Sequence, residues 1–177
     1  IHHFSNRHKQ IFLAQNCGAI ADDLLLSELF GHRRGSFTGA ISDRLGLFVA
    51  ADKGTVFLDG ISDISPAVQV GLLRFLQDGE VKAIGSDATK QTNVRIIAAS
   101  NRPIRQLVEE GKFRRDLYYR LKGFEITIPP LRDRPEDIPV LTDFLIKKYS
   151  EVFSRKIPGV ASQAQQKLRS YAFPGNV

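Results

Sequence analysis

The run Gly54-Thr55-Val56-Phe57-Leu58-Asp59-Gly60-Ile61 decides how the rest of the chain is read. Thr55 to Leu58 are β-branched, aromatic or aliphatic, with a glycine before them and Asp59 directly after, which is the pattern of a short strand buried on both faces. Such a strand carries a carboxylate to the carboxyl edge of a sheet. In open α/β folds that edge is where ligands bind, and a carboxylate there commonly supports the magnesium of a bound nucleotide. An aspartate in this place also serves to cap the next helix, and Asp59 alone does not separate the two roles.

Two further runs place polar side chains in the same way. Ile11 to Ala14 is apolar and is followed by Gln15, Asn16 and Cys17; Val94 to Ala99 is apolar and is followed by Ser100 and Asn101. Three strand ends therefore converge polar groups on one edge. Phe124, Ile126 and Ile128 alternate as a fourth strand that Pro129-Pro130 ends. Between these runs the apolar spacing is helical. Leu25, Leu26, Leu29 and Phe30 recur over Asp23 to Phe30, which must stop at Gly31, and Ser65-Pro66 opens a helix with the stripe Val68, Leu72, Leu73 and Leu76, stopped by Gly79. Gly79 to Thr92 is polar and glycine-punctuated, with Val81 and Ile84 spaced for a small hairpin.

Leu107 to Leu121 reads as one charged helix carrying Arg114, Arg115, Asp116 and Arg120. Arginines clustered in this way are most often solvated or salt-bridged, but arginine is also suited to reach a phosphate across a subunit boundary. From Glu136 the pattern is helical throughout, with Ile138, Leu141, Leu145 and Tyr149 on one face, and Ser162 reads as the cap of a segment running to Tyr171. The chain divides near Pro130 into a sheet-containing unit, 1–130, and a small helical unit, 131–177. Ile1 to Gln10 has no start signal and reads as the end of a helix entered partway.

Composition sets outer bounds. The 177 residues, 42% of them hydrophobic, suffice for one domain with a substantial core, or for one domain and a small appendage. Twenty-five basic against 19 acidic residues give a net charge of +6, which permits a polyanionic partner without demonstrating one. The lone Cys17 excludes an internal disulfide framework, and no Cys/His spacing suits a metal. His2 and His3 read as a tag remnant or a helix end rather than a ligand pair. No run approaches a membrane span and no signal-peptide pattern opens the chain, so a cytoplasmic protein without a membrane partner is expected.

The stretch from Gly31 to Ala40, with Gly35 and Gly39 around Phe37, has no apolar periodicity and reads as a loop that carries the aromatic outward. An exposed loop-tip phenylalanine usually means that a partner covers it, and a phenylalanine folded back onto its own core is an equal alternative.

Six blocks in order carry a resemblance: Ser27 to His32 (Ser-Glu-Leu-Phe-Gly-His), Gly35 to Ala40 (Gly-Ser-Phe-Thr-Gly-Ala), Gly54 to Asp59, Phe113 to Leu121 (Phe-Arg-Arg-Asp-Leu-Tyr-Tyr-Arg-Leu), Pro129 to Arg134, and Phe173 to Val177. Together they resemble the central AAA+ domain of bacterial enhancer-binding proteins, the NtrC-like activators of sigma-54-dependent transcription. The resemblance spans essentially the whole chain. It implies an α/β fold with a P-loop-NTPase-type parallel sheet flanked by helices and a partial C-terminal helical lid. It also implies ATP and Mg²⁺ as ligands, and a hexameric or heptameric ring that couples ATP binding and hydrolysis to remodelling of sigma-54 RNA polymerase. DNA is bound in that family by a separate domain.

Residue by residue, Gly35, Ser36, Phe37, Thr38, Gly39 and Ala40 match the family's GAFTGA loop, the element that touches sigma-54, with Ser36 in place of its first alanine. Asp59 matches the Walker B aspartate that supports the magnesium-bound nucleotide. Asn16 matches the switch partner of the Walker B glutamate, Asn101 the sensor I position near the γ-phosphate, and Arg114 and Arg120 the arginine fingers that reach a neighbouring subunit's nucleotide. The chemistry is coherent, since hydrolysis needs a metal, a positioned water and cations on the transferring phosphate.

This sequence also departs from the family. Gly60 stands where the family has the Walker B glutamate, so the group that orients the attacking water is missing and Asn16 loses its switch partner. No G-x-x-x-x-G-K-[ST] is present; the Gly111-Lys112 pair is followed by Phe113. The chain reads as beginning after the P-loop and ending before the sensor II arginine. It is therefore expected to be a fragment of a longer protein, without turnover of its own. Without the P-loop strand, the Val94 and Phe124 strands are expected to face a gap. Leu26 and Arg115 replace residues that are usually acidic. The alternative function is a non-hydrolysing regulatory relative that keeps the loop and the ring surface as a binding module.

Overall fold

The structure, a computed structural model, describes residues 1–176. In chain order the elements are β1 (Phe12–Asn16), α1 (Asp22–Phe30), β2 (Gly31–His32), β3 (Arg44–Leu45), α2 (Leu47–Ala50), β4 (Thr55–Asp59), α3 (Pro66–Asp78), β5 (Glu80–Lys82), β6 (Thr89–Gln91), β7 (Arg95–Ala98), α4 (Ile104–Glu109), α5 (Arg115–Leu121), α6 (Asp137–Val152) and α7 (Ser162–Ser170). They form two compact units, Ile1–Phe124 and the residues from Glu125 onward.

The first unit is built on a parallel sheet in the order β1-β4-β7, with Asn16 level with Asp59 and Leu58 level with Ala98. The central strand is the most apolar of the three, and burial follows the sequence. Val56 and Leu58 are fully buried beneath α1 and α3, where they meet Leu25, Leu29, Leu72 and Phe75. Thr55 is buried on the opposite face, whereas Phe57 is only half-buried, so that face is less completely covered than the run of apolar residues suggests. Phe48 of α2 stacks on Phe75 with ring centroids 4.0 Å apart, an aromatic centre for the core.

The helix punctuation is local chemistry. Ser65 Oγ accepts from Val68 N at the start of α3, with Pro66 in the first turn, and Gly79 ends the helix at φ +70°. The hairpin expected after it forms as β5 and β6.

Several sequence expectations are corrected. Ile1 to Gln10 is not the end of a helix but a chain of turns, in which His2 Nδ1 lies 3.0 Å from Thr55 Oγ1 and Arg7 donates to the carbonyls of Gly54 and Asn93. The Leu107–Leu121 pattern is two helices. The backbone breaks at Gly111, φ +70°, and Lys112 and Phe113 N both turn back onto Leu107 O. The Gly111-Lys112 pair therefore sits at a break, not inside a helix.

Phe124 to Ile128 forms no strand. Its three alternating apolar residues are 88%, 59% and 73% exposed, because no neighbouring strand among the described residues supplies a ladder to join. In the second unit, α6 buries only Ile138 of its expected face, leaving Leu145 and Tyr149 exposed, and Ser162 is the first residue of α7 rather than its cap.

Candidate functional site

The strand ends meet as a rim. Asn16 and Asp59 are register partners at the carboxyl ends of β1 and β4, and Cys17 N donates to Asp59 O at 2.8 Å. The chain then leaves β4 through Gly60, whose φ of +70° and ψ of +37° suit a residue without a Cβ, and enters a 3-10 turn over Ile61–Asp63. That turn is tied to the third strand, since Ile61 N donates to Ala99 O. Ser62 Oγ lies 3.1 Å from Asn101 Oδ1 and 3.3 Å from Asp63 Oδ1, and donates its single proton to one of them. Asn16, Asp59 and Asn101, expected to share one edge, are thus brought together by strand register and this turn.

Ser62 and Asp63 join the rim without having been singled out in the sequence. The only hint of them is their position one turn after the strand. The rim is negative. Burial first, then the carboxylates of Asp59 and Asp63, push the Cys17 thiol up to about 11. Asp59 offers a carboxylate oxygen at the strand end, and no group of three or more His, Cys, Asp or Glu among the described residues forms a metal cage. A single carboxylate fits Mg²⁺ held mainly by phosphate and water.

The two arginines are held by other partners. Arg114 is held by Asp116 in a two-point pair at 3.0 and 2.7 Å, which raises its pKa and lowers that of Asp116, while Arg120 donates to the carbonyls of Leu76 and Gln77 at the end of α3. No hydrogen bond or ion pair joins either arginine to Asn16, Asp59 or Asn101. Arg114, Arg115, Asp116 and Tyr119 line an open depression of about 480 Å³.

The backbone of Arg114 is fixed by Gln69, a buried side chain on α3 that accepts from Arg114 N and donates to the carbonyls of Ile64 and Lys112. Gln69 is another residue missed in the sequence. Beside Val68, in an apolar stripe, it carried no mark of its own except its polarity.

The loop projects from a base of three paired segments. Gly31 and His32 pair antiparallel with Leu45 and Arg44, and His32 also bridges to Ile84 of the second hairpin. The Arg33–Asp43 ion pair and the bond from Arg34 N to Asp43 hold the sides together; the Arg34 amide above all keeps Asp43 below the usual carboxylate range. Phe37 does not project alone. It is half-buried, with its ring edge-on to His32 at 5.0 Å. Thr38 is exposed and Gly35 and Gly39 have positive φ, as a tight tip requires. Ala40, expected among the contact residues, is instead buried, its N donating to Phe37 O and its O accepting from Gly35 N. It closes the loop from inside.

No helix among the described residues is long and apolar enough to cross a membrane. Residues 1–127 match the model of the Sigma-54 interaction domain, and residues 132–177 match an AAA+ ATPase lid domain. Over its whole length the chain is 50% identical to the Nif-specific regulatory protein of Azotobacter vinelandii, 47% to the hydrogenase transcriptional regulatory protein HoxA of Bradyrhizobium diazoefficiens and 45% to the response regulator PilR of Pseudomonas aeruginosa. It covers 34%, 36% and 40% of those proteins, so it spans little more than a third of their length.

Among solved structures it is similar to NtrX from Brucella abortus in complex with ADP (TM-score 0.90) and with ATP (0.89), each at 29% identity, covering 99% of this chain and 38% and 39% of NtrX. Hsp104 with ATPγS and casein, at 19% identity over 92% of this chain and 32% of that one (TM-score 0.64), shares the AAA+ fold. Matched over residues 1–127 by the family model and over its full length by these regulators, the chain belongs to the Sigma-54 interaction domain family of transcriptional activators.

Proposed function

We propose that this chain is the part of a sigma-54-dependent activator that couples ATP binding and hydrolysis in a ring to remodelling of sigma-54 RNA polymerase. The observation that carries the reading is the rim at which Asn16, Asp59 and Asn101 meet at the ends of three parallel strands. NtrX, the structural relative, has been crystallised with ATP and with ADP, which supports a nucleotide at that rim.

In this reading Asp59 would hold Mg²⁺, which would supply positive charge to the phosphates of the nucleotide. Asn101 lies toward the γ-phosphate, and Asn16, whose partner glutamate Gly60 replaces, stands level with Asp59 on the rim. Arg114 and Arg120 act on the nucleotide of the neighbouring protomer, each after leaving the partner it holds in the isolated chain. Phe37 and Thr38 contact sigma-54, on a tip shaped by Gly35, Ser36 and Gly39. Residues 1–130 form the nucleotide-facing subdomain and 131–177 the start of the lid.

Gly60 supports a second reading, a non-hydrolysing relative that binds nucleotide and sigma-54 without turnover. Steady-state ATPase rates of the protein at its natural length, with Gly60 and as Gly60→Glu, separate the two. Activity with Gly60 supports the first reading, and activity confined to the glutamate form supports the second. For the loop, Phe37→Ala and Thr38→Ala are expected to abolish sigma-54 binding in a pull-down while ring assembly persists. Unchanged binding rejects the assignment.

A further inference from the structure

Gly60 leaves a bare place on the rim, and the group beside that place is Asp63. A Cβ built on Gly60 would have Asp63 Oδ2 3.6 Å away and Asn16 Oδ1 4.0 Å away. From the equivalent point on Gly18, across the rim, the same two oxygens lie 3.3 and 3.8 Å away. The backbone makes this possible. With Gly60 in the left-handed region and Asp63 N bonded to Gly60 O at 3.0 Å, the 3-10 turn folds the Asp63 carboxylate back over the end of β4. Its second oxygen, Oδ1, faces Ser62 Oγ, which also reaches Asn101. Asp63 is exposed, and no ion pair to a described residue neutralises it.

We infer that Asp63 supplies the carboxylate that orients and deprotonates the attacking water, the part that Gly60 cannot play. The inference rests on the nucleotide reading of the rim. In the step it serves, the water oxygen bonds to the γ-phosphorus as the bond from that phosphorus to the bridging oxygen breaks. The electron pair of the broken bond leaves with ADP. The water proton passes to Asp63 Oδ2 and from there to solvent, leaving inorganic phosphate. Ser62, whose hydroxyl lies 3.3 Å from Asp63 Oδ1, is the positioning residue of that carboxylate.

A merely structural Asp63, pinning the turn, would affect stability and nucleotide binding together. A water-orienting Asp63 separates binding from turnover. The test uses the protein at its natural length, measuring ATP turnover and the affinity for a fluorescent ATP analogue for the wild type, Asp63→Asn and Asp63→Glu. The asparagine is isosteric, and a melting midpoint within a few degrees of wild type shows that the fold survives. The expected result is a wild type that hydrolyses ATP and an Asp63→Asn variant about 100-fold slower in kcat, the size of a lost general base. Analogue affinity should be unchanged or a few-fold tighter, because a negative charge near the phosphates is gone, and Asp63→Glu should keep most of the turnover.

If Asp63→Asn turns over at the wild-type rate, the inference is wrong and the ATPase reading stands. If the wild type binds the analogue but does not hydrolyse ATP, the inference is wrong and the non-hydrolysing reading takes its place. If no form binds the analogue, the reading of the rim itself fails, and the inference with it.

Discussion

The ring of His32 meets Phe37 edge-on with centroids 5.0 Å apart, while His32 Nδ1 lies 2.6 Å from the hydroxyl of Ser27, which is buried on α1. A buried helix residue therefore fixes a loop-base ring, and that ring fixes the loop-tip aromatic. Replacing Ser27 by alanine removes the anchor but keeps the apolar packing. The expected cost to folding is about 1 kcal/mol by urea denaturation, with a several-fold loss of sigma-54 affinity by calorimetry, because Phe37 must then be ordered on binding. His32→Ala should lose more affinity than Ser27→Ala. Equal affinity in all three proteins would show that Phe37 is placed by something else.

Ser36 carries the opposite expectation. Its Oγ is buried without a hydrogen-bond partner, packed against Gly85 of the second hairpin, where an added Cβ would come within 2.6 Å of Ser36 Cβ. Ser36→Ala removes an unsatisfied hydroxyl and keeps the shape, so stability should stay level or rise by about 1 kcal/mol. Gly85→Ala, by contrast, should destabilise, since it combines that clash with a φ of +73°. The urea midpoint should fall for Gly85→Ala and should not fall for Ser36→Ala.

How much of this was legible in the sequence depends on where each signal lives. The strand ends at Asn16, Asp59 and Asn101 were readable because an apolar run followed by a polar residue is a local pattern, and parallel register then does the rest. Asp63 and Gln69 were not. Asp63 matters through a turn that only a left-handed Gly60 creates, and Gln69 through three partners scattered over Ile64, Lys112 and Arg114. The Phe124–Ile128 alternation was a real period with no neighbour to satisfy it, and strand propensity counts for little without a ladder. The single helix read over Leu107 to Leu121 failed because Gly111, at positive φ, breaks a continuous charged pattern.

Gln69 should be among the most sensitive positions in the first unit. Gln69→Leu keeps the volume but leaves the Ile64 and Lys112 carbonyls and the Arg114 amide without their partner in a buried place. A loss of about 2–3 kcal/mol is expected in denaturant titrations. Gln69→Glu should keep the bond from Arg114 N but lose both donated bonds, and should also be destabilised.

Cys17 reports on the charge of the rim. Its thiol is held neutral up to about 11, against an ordinary 9.0, by burial and by Asp59 and Asp63. The unfolded chain loses this proton first, so from about pH 9 to about pH 11 the unfolded state binds fewer protons and stability falls as pH rises. At pH 8, alkylation of the folded protein by iodoacetamide should be about 100-fold slower than in denaturant, from thiolate fraction alone. Asp59→Asn should lower the thiol pKa and speed labelling, and Asp63→Asn should do the same to a smaller extent. Rates unmoved by either change would show that the carboxylates do not face the thiol.

Arg114 gives the strongest test of the ring. In the isolated chain it is paired with Asp116 at an exposed surface, where such a pair is weakly held and easily exchanged for a phosphate. If Arg114 serves the neighbour's nucleotide while Asp59 serves its own, the two residues of one working site come from different protomers. Arg114→Ala and Asp59→Ala should then each abolish turnover when assembled alone. In an equal mixture, an Arg114→Ala protomer supplies an intact Asp59 and an adjacent Asp59→Ala protomer supplies an intact Arg114. Random assembly places that order at about a quarter of the interfaces, so mixing two inactive proteins should recover up to about a quarter of the wild-type rate. No recovery, in rings shown by light scattering to be mixed, would place both residues in one protomer's site and remove the reason for the ring.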